Sequence, residues 1–300
     1  MKRWGLAAAL MFLLAAIIIG CRADSKEIQQ NFAPLLEGKA TPDSIRIAAE
    51  YLDENIGKAD QETASLMVVA YEDYLIKYLN NDADWAQIEL LTPFWNFETD
   101  QMEADKIETE EARKVYEDLT AGGFKFISLE GMINPIVDYR VFGEKYGSRV
   151  TEALSDLYLI KQSESDQPMG EDAALMISWD ELAMRAYAVE QYIETYREDQ
   201  LTIADAQFMY ENYINTMLLG MNNTPIFDYE MHQFSKDAKT AYTRFVEEHP
   251  NSVTSWMLKE FDAYLASVGY VMDYQDENQS KAFFDTCNWL VSETGARVME

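Results

Sequence analysis

Two stretches of this 300-residue chain carry the same run of chemically capable side chains: GMINPIVDY at 131–139 and GMNNTPIFDY at 220–229. With one inserted residue they share Gly, Met, Asn, Pro, Ile, Asp and Tyr in order. An aspartate beside a tyrosine offers a carboxylate that can act as acid, base or acceptor, and a ring that can stack on a ligand. If the two runs hold related positions, Asp138 and Asp228, with Tyr139 and Tyr229, face one cleft, and Glu130 and His232 lie nearby in sequence. Glu130 with Asp138 is then the pair to inspect for general acid–base work, which needs two carboxyls at a set separation with unequal pKa values. The same residue types also suit a helix–turn–helix junction. Gly ends a helix, Pro forbids its continuation, and Asp caps the next helix by accepting a backbone N–H bond. The pattern fits the junction better than the cleft.

Other chemistry is sparse. The histidines are His232 and His249, and neither has His or Cys at ligand spacing, which speaks against a zinc site. There is no Gly-x-Ser-x-Gly elbow, P-loop or dinucleotide fingerprint. NNDADW at 80–85 and DYQDENQ at 273–279 crowd oxygen ligands together without EF-hand spacing, so both read as solvated acidic loops. No metal and no cofactor is expected. Cys287 sits in KAFFDTCNWLV with Phe283, Phe284 and Leu290 at helical spacing, which predicts a buried thiol rather than a nucleophile.

The N-terminus carries a second kind of chemistry. Lys2 and Arg3 precede an uncharged apolar run from Leu6 to Ile19, shorter than the roughly 20 residues a spanning helix needs. The run ends Ile18-Ile19-Gly20-Cys21, which resembles the lipobox of bacterial lipoproteins, with Ile19 in place of the usual small residue. The resemblance covers residues 1–21 and implies a signal peptide at 1–20, cleavage before Cys21 and lipidation of its thiol. Two acyl chains give stable anchoring where one is marginal. The expected location is outside the cytoplasmic membrane, on the outer-surface or periplasmic side, with the membrane as partner through the lipid on Cys21.

Charge narrows the remaining partners. The chain has 24 basic and 53 acidic residues, a formal charge of −29. Removing residues 1–20 takes away two bases, Lys2 and Arg3, and no acid, so the charge becomes −31. Such a surface repels nucleic acid and suits high external pH or salt, or a cationic partner.

The elements that must position these residues are helical nearly throughout. Thr41-Pro42-Asp43 and Thr109 are N-terminal caps, and Gly122 is a stop. Met67, Tyr71, Tyr74 and Tyr78 share a face, as do Ile203, Ala206, Tyr210, Tyr213 and Met217. Leu175, Trp179, Leu182, Ala186, Val189, Ile193 and Tyr196 alternate steps of four and three, an apolar seam on one long helix. The expected fold is mainly α. About ten helices form a duplicated helical-hairpin, solenoid-like arrangement, with at most a short strand near 124–129. Residues 21–40 read as a tether that Phe32, Leu35 and Leu36 could dock. Residues 41–300 read as one helical domain with related halves at about 60–165 and 171–260 and closing C-terminal helices. ASLMVVAYEDYL at 64–75 echoes AALMISWDELAM at 173–184. The function expected is a non-enzymatic, lipid-anchored module binding an envelope protein, peptide or glycan. The alternative is an envelope hydrolase acting on wall glycan or peptide, with Glu130, Asp138 or Asp228 as acid or base.

Overall fold

A computed structural model describes residues 25–300, so Cys21 and the leader lie outside the described residues. The chain is mainly helical, as its periodicities imply, and divides between Ser165 and Asp166 into two compact units. Among the described residues no helix is long and apolar enough to cross a membrane.

In the first unit residues 25–32 are helical (α1). They precede α2 (Pro42–Asn55), α3 (Gln61–Lys77), α4 (Trp85–Glu89), α5 (Glu110–Ala121), α6 (Tyr139–Tyr146) and α7 (Glu152–Asp166). The caps read from sequence form. Thr41 and Ser44 make a reciprocal capping box ahead of Pro42, the Thr109 hydroxyl accepts from Ala112 N, and Gly122 ends α5. Tyr71 on α3 ties the core together: its hydroxyl donates to Gly122 O at 2.7 Å, and its ring stacks on Phe142 of α6 with centroids 6.1 Å apart. The tether expectation changes from Ser25 onward. Phe32 is buried against Tyr51 and Tyr71, and Ser25 and Ile28 bond Asp60 and Tyr51, so this segment is part of the core. Apolar burial of Ile28 and Phe32 outweighs the freedom of a chain too short to stay clear of the domain.

The strand expected at 124–129 is present and has a partner. β3 (Phe124–Leu129) pairs antiparallel with β4 (Met132–Val137), Phe124 opposite Val137 and Leu129 opposite Met132. Glu130 and Gly131, both at positive φ, make the two-residue turn. A two-residue ladder, β1 (Trp95–Asn96) with β2 (Gln101–Met102), precedes it.

The second unit is built on α8 (Trp179–Tyr196) and α9 (Ile203–Leu219), with α10 (Lys236–Glu248), α11 (Val253–Ser267) and α12 (Glu277–Val298) packed around them. The α8 seam from Trp179 to Ile193 is buried. Leu175 is not on that helix. It pairs with Gly170 where β5 (Gly170–Glu171) meets β6 (Ala174–Leu175), and the Ser178 hydroxyl starts α8 by accepting from Glu181 N. A cap three residues after the expected start overrides the periodicity, because side-chain spacing cannot show where backbone bonding begins. A matching ladder, β7 (Gly220–Met221) with β8 (Thr224–Pro225), follows α9. The two hairpin turns join through Asn223 N to Ala173 O at 2.8 Å and Leu175 N to the Thr224 hydroxyl at 3.0 Å. Gly220 makes the β7–β8 ladder possible. Its φ is +71°, and an added Cβ would lie 2.5 Å from Ile226 N.

Gly220→Ala is expected to cost at least about 1–3 kcal/mol from the backbone alone, read as a lower denaturation midpoint at unchanged slope. A second expectation concerns alkaline pH. Burial raises the acid groups of Tyr78, Tyr274 and Cys287 to about 12, and those of Tyr71, Tyr146, Tyr210 and Tyr242 further. The unfolded chain releases these protons near pH 9–10 while the folded chain keeps them, so stability is full below that range and falls as pH rises toward 12. Tyrosine absorbance and helical ellipticity followed together should show the late-ionising tyrosines titrating with unfolding.

Candidate functional site

The residues nominated from sequence are engaged locally. Asp138 is buried and caps α6, accepting from Arg140 N at 3.1 Å and Val141 N at 3.4 Å, and its other oxygen pairs with the Arg140 side chain at 3.2 Å. Asp228 is exposed and accepts from Glu230 N at 2.9 Å and Met231 N at 2.6 Å. Each aspartate follows the second strand of a hairpin and accepts from the N–H groups two and three residues on, which is the shared content of Pro-Ile-x-Asp-Tyr. Only the first aspartate starts a helix. The Gly-Met part differs: Gly220 ends α9, whereas Gly131 sits in the β3–β4 turn. The upstream echo differs too, since 64–75 is helical throughout and 173–178 is not.

Glu130 and Asp138 do not form a pair. They occupy the tip and the base of a six-residue hairpin, separated by on the order of 20 Å of extended strand. A hydrolytic carboxyl pair needs roughly 5–10 Å. Tyr229 is exposed, donates to Asn222 O at 3.3 Å and lies 6.2 Å from the Tyr274 ring. His232 holds a left-handed backbone, with Nδ1 3.9 Å from Asp273 and no hydrogen bond.

Tyr139 leads instead to a group that spacing did not reveal. Glu72, on α3, is 3 % exposed. Its Oε1 accepts from the Tyr139 hydroxyl and from Lys161 Nζ, each at 2.6 Å, and its Oε2 from the Tyr158 hydroxyl at 3.0 Å. Lys161 also lies 5.3 Å from the centre of the Tyr139 ring. The second unit holds a comparable carboxylate, Glu190 on α8. It accepts from Val253 N, Thr254 N and the Thr254 hydroxyl at 2.7–2.8 Å, so it caps α11 from another helix. Both carboxylates are saturated by partners, an arrangement that holds helices together. In sequence they look like any glutamate on a helix.

One buried polar group with unmet capacity, the Tyr78 hydroxyl, lies elsewhere in the first unit, beside NNDADW. After Lys77 the chain widens into a π-helical turn, Tyr78–Asp82, closed by Ala83 N to Tyr78 O at 2.8 Å. Such turns recur at functional sites because the extra residue redirects side chains. Asp82 accepts from Ala40 N at 2.8 Å and pairs with Lys77 at 3.3 Å, bringing the 39–43 segment alongside. Asp84 caps α4 through Ala86 N at 3.2 Å. Among the described residues no group of acids or His and Cys is placed to hold a metal ion.

Between this turn, α4 and α5 lies a cavity of about 280 Å³, with Ala40, Pro42, Tyr78 and Val115 as its apolar wall. Tyr78 is 1 % exposed and its ring packs on Phe124 with centroids 5.7 Å apart. Its hydroxyl has no hydrogen-bond partner. Burial, and then the charge of Asp84 on the rim, push its pKa up to about 12, so it is a neutral phenol at physiological pH. On the rim, Arg46 and Lys114 hold Asp43 below the usual carboxylate range, and the Ala40 N–H bond does the same for Asp82. Across α4 a second cleft of about 450 Å³ runs under the hairpin turn, where Trp85 is 51 % and Met132 63 % exposed.

The two aspartates of the shared motif should separate on substitution. Asp138→Ala is expected to lose about 1–2 kcal/mol as a buried helix cap, and Asp228→Ala no more than about 0.5 kcal/mol as an exposed turn, both by urea denaturation. No family model, curated protein or solved structure matches this chain.

Proposed function

We propose that the chain is a lipid-anchored binding module of the cell envelope, held on the outer side of the cytoplasmic membrane through Cys21, with its ligand site in the cavity walled by Tyr78. One observation carries the binding reading: Tyr78, whose enclosed hydroxyl has no protein partner, lines an open cavity of about 280 Å³. A buried donor left unpaired costs about 1–3 kcal/mol, and native structures rarely leave one without a water, an ion or a ligand to meet it. The volume lies at the small end of ligand pockets, which suits a small molecule or one side chain of a larger partner. The anchoring reading rests on Lys2, Arg3, the apolar run and Ile18-Ile19-Gly20-Cys21. Envelope peptides, glycans and proteins that present a group of this size are the partners in view.

Cell fractionation tests the anchor. The wild-type chain is expected in the membrane fraction and extractable by detergent, whereas Cys21→Ser is expected to stay unprocessed or to lose lipid-dependent retention. Equal detergent-phase partitioning of a processed Cys21→Ser chain would overturn the anchor. For the site, the mature lipoprotein in uncharged detergent should be stabilised saturably by a ligand of the right chemistry, by about 2.7 kcal/mol at a hundred times its Kd. The same ligand should have little effect on Tyr78→Phe.

A further inference from the structure

We infer that the cleft of about 450 Å³ beneath the β3–β4 turn binds a neutral saccharide, with one sugar ring stacked on Trp85. The site stands apart from the Tyr78 cavity and does not rest on it. Its volume falls within the range of small-molecule pockets, which pair an apolar wall with a few placed polar groups. Trp85 opens α4 and is 51 % exposed, and Met132 and Ile133 of β4 complete the apolar part of the lining. A sugar ring has one face of C–H groups, which packs on an aromatic plane, and a rim of hydroxyls, which needs polar partners.

The rest of the lining supplies those partners. Glu89, one helical turn beyond Trp85, is exposed, and among the described residues no cation or side-chain donor meets its carboxylate. The Thr92 hydroxyl is likewise unengaged. Asn134 Nδ2 donates to Met132 O at 3.0 Å, which orients the amide and leaves its oxygen and second N–H for a ligand. A carboxylate only accepts, whereas an amide and a hydroxyl also donate. Sugar hydroxyls do both, so they can satisfy all three groups.

Other occupants fit less well. Glu89 is the only charged side chain in the lining, and the chain carries −29 overall, so an anionic ligand is repelled. A cation would use the ring and Glu89 and leave Thr92 and Asn134 unmet. A purely apolar ligand would bury all three polar groups without partners. An extended peptide would need a free strand edge. Around the Glu130-Gly131 turn, Leu129 with Met132, Ile127 with Asn134 and Lys125 with Ile136 exchange the backbone bonds, so Ile133 and Pro135 aim theirs outward. Pro135 has no N–H to offer there, which blocks that edge.

The test is calorimetric titration of the full-length protein in a polyoxyethylene detergent, which carries no sugar. The probes are chitotriose, cellotriose and maltotriose, their monosaccharides, trigalacturonate, tetramethylammonium and an end-blocked neutral hexapeptide. At least one neutral trisaccharide should bind one to one, about tenfold or more tighter than the last three probes, with affinity unchanged by salt. Equal affinity of its monosaccharide identifies a single free sugar as the source, and weaker affinity identifies a glycan chain. Trp85→Ala should weaken binding at least about tenfold, and Trp85→Phe and Glu89→Gln less. Both residues are exposed, so the variants should keep wild-type helical ellipticity. Binding should alter tryptophan emission in the wild type and not in Trp85→Phe. Neutral sugar binding that survives Trp85→Ala unchanged would overturn the inference. So would trigalacturonate, the ammonium ion or the peptide binding as tightly as the sugars, or no saturable binding by any neutral sugar.

Discussion

A carboxylate removed from water must be met at both oxygens, and Glu72 sets this requirement for the first unit. Desolvating its charge would cost several kcal/mol without partners, so the two tyrosines and the lysine around it must come from fixed places. Tyr139 opens α6, and Tyr158 and Lys161 stand one turn apart on α7. Their bonds to one residue of α3 set how α6 and α7 lie on that helix. The neighbouring Tyr71 does the same for the ends of α2 and α5 by bonding Ile45 O and Gly122 O. Hydrophobic burial supplies most of the driving force here, but it is not directional, and these few polar bonds select one packing among many.

The second unit meets the same constraint differently. Glu190 accepts from the first N–H groups of α11, where the helix dipole favours negative charge, and so joins α8 to α11 without a basic partner. Tyr210 of α9 reaches the same carboxylate at 3.3 Å. Each of these two glutamates lies on a central helix and has its partners on helices later in the chain.

Glu72 and Tyr78 contrast in how their buried oxygens are met. Both project from the same stretch of chain, six residues apart, and both are almost wholly buried. Glu72 is saturated by protein, whereas the hydroxyl of Tyr78, the first residue of the π-helical turn, is enclosed without a protein partner. The extra residue lets Asp82 catch the Ala40 N–H, which draws the 39–43 segment over one side of the cavity.

Much of this protein was legible along its sequence. Caps at Thr41 and Thr109, the stop at Gly122 and the buried faces of α3, α8 and α9 follow from residue type and a period of 3.6, because helices are local in their bonding. The burial of Cys287 follows from the same spacing. The shared Pro-Ile-x-Asp-Tyr run correctly marked two aspartates that bond their own following N–H groups, but it suggested a junction between helices where each copy lies on a hairpin. Strand pairing is non-local, so neither Leu175 in β6 nor the partner of 124–129 could be read from periodicity. Which glutamate is buried, and which tyrosine lacks a partner, depends on distant segments: the groups that meet Glu72 lie up to some ninety residues away, and the Tyr78 ring packs on Phe124. The sequence by itself determined the helices, their caps and the charge. The tertiary structure alone decided which polar groups meet one another and which are left without a partner, since hydrogen bonds between distant segments exist only after the helices have packed.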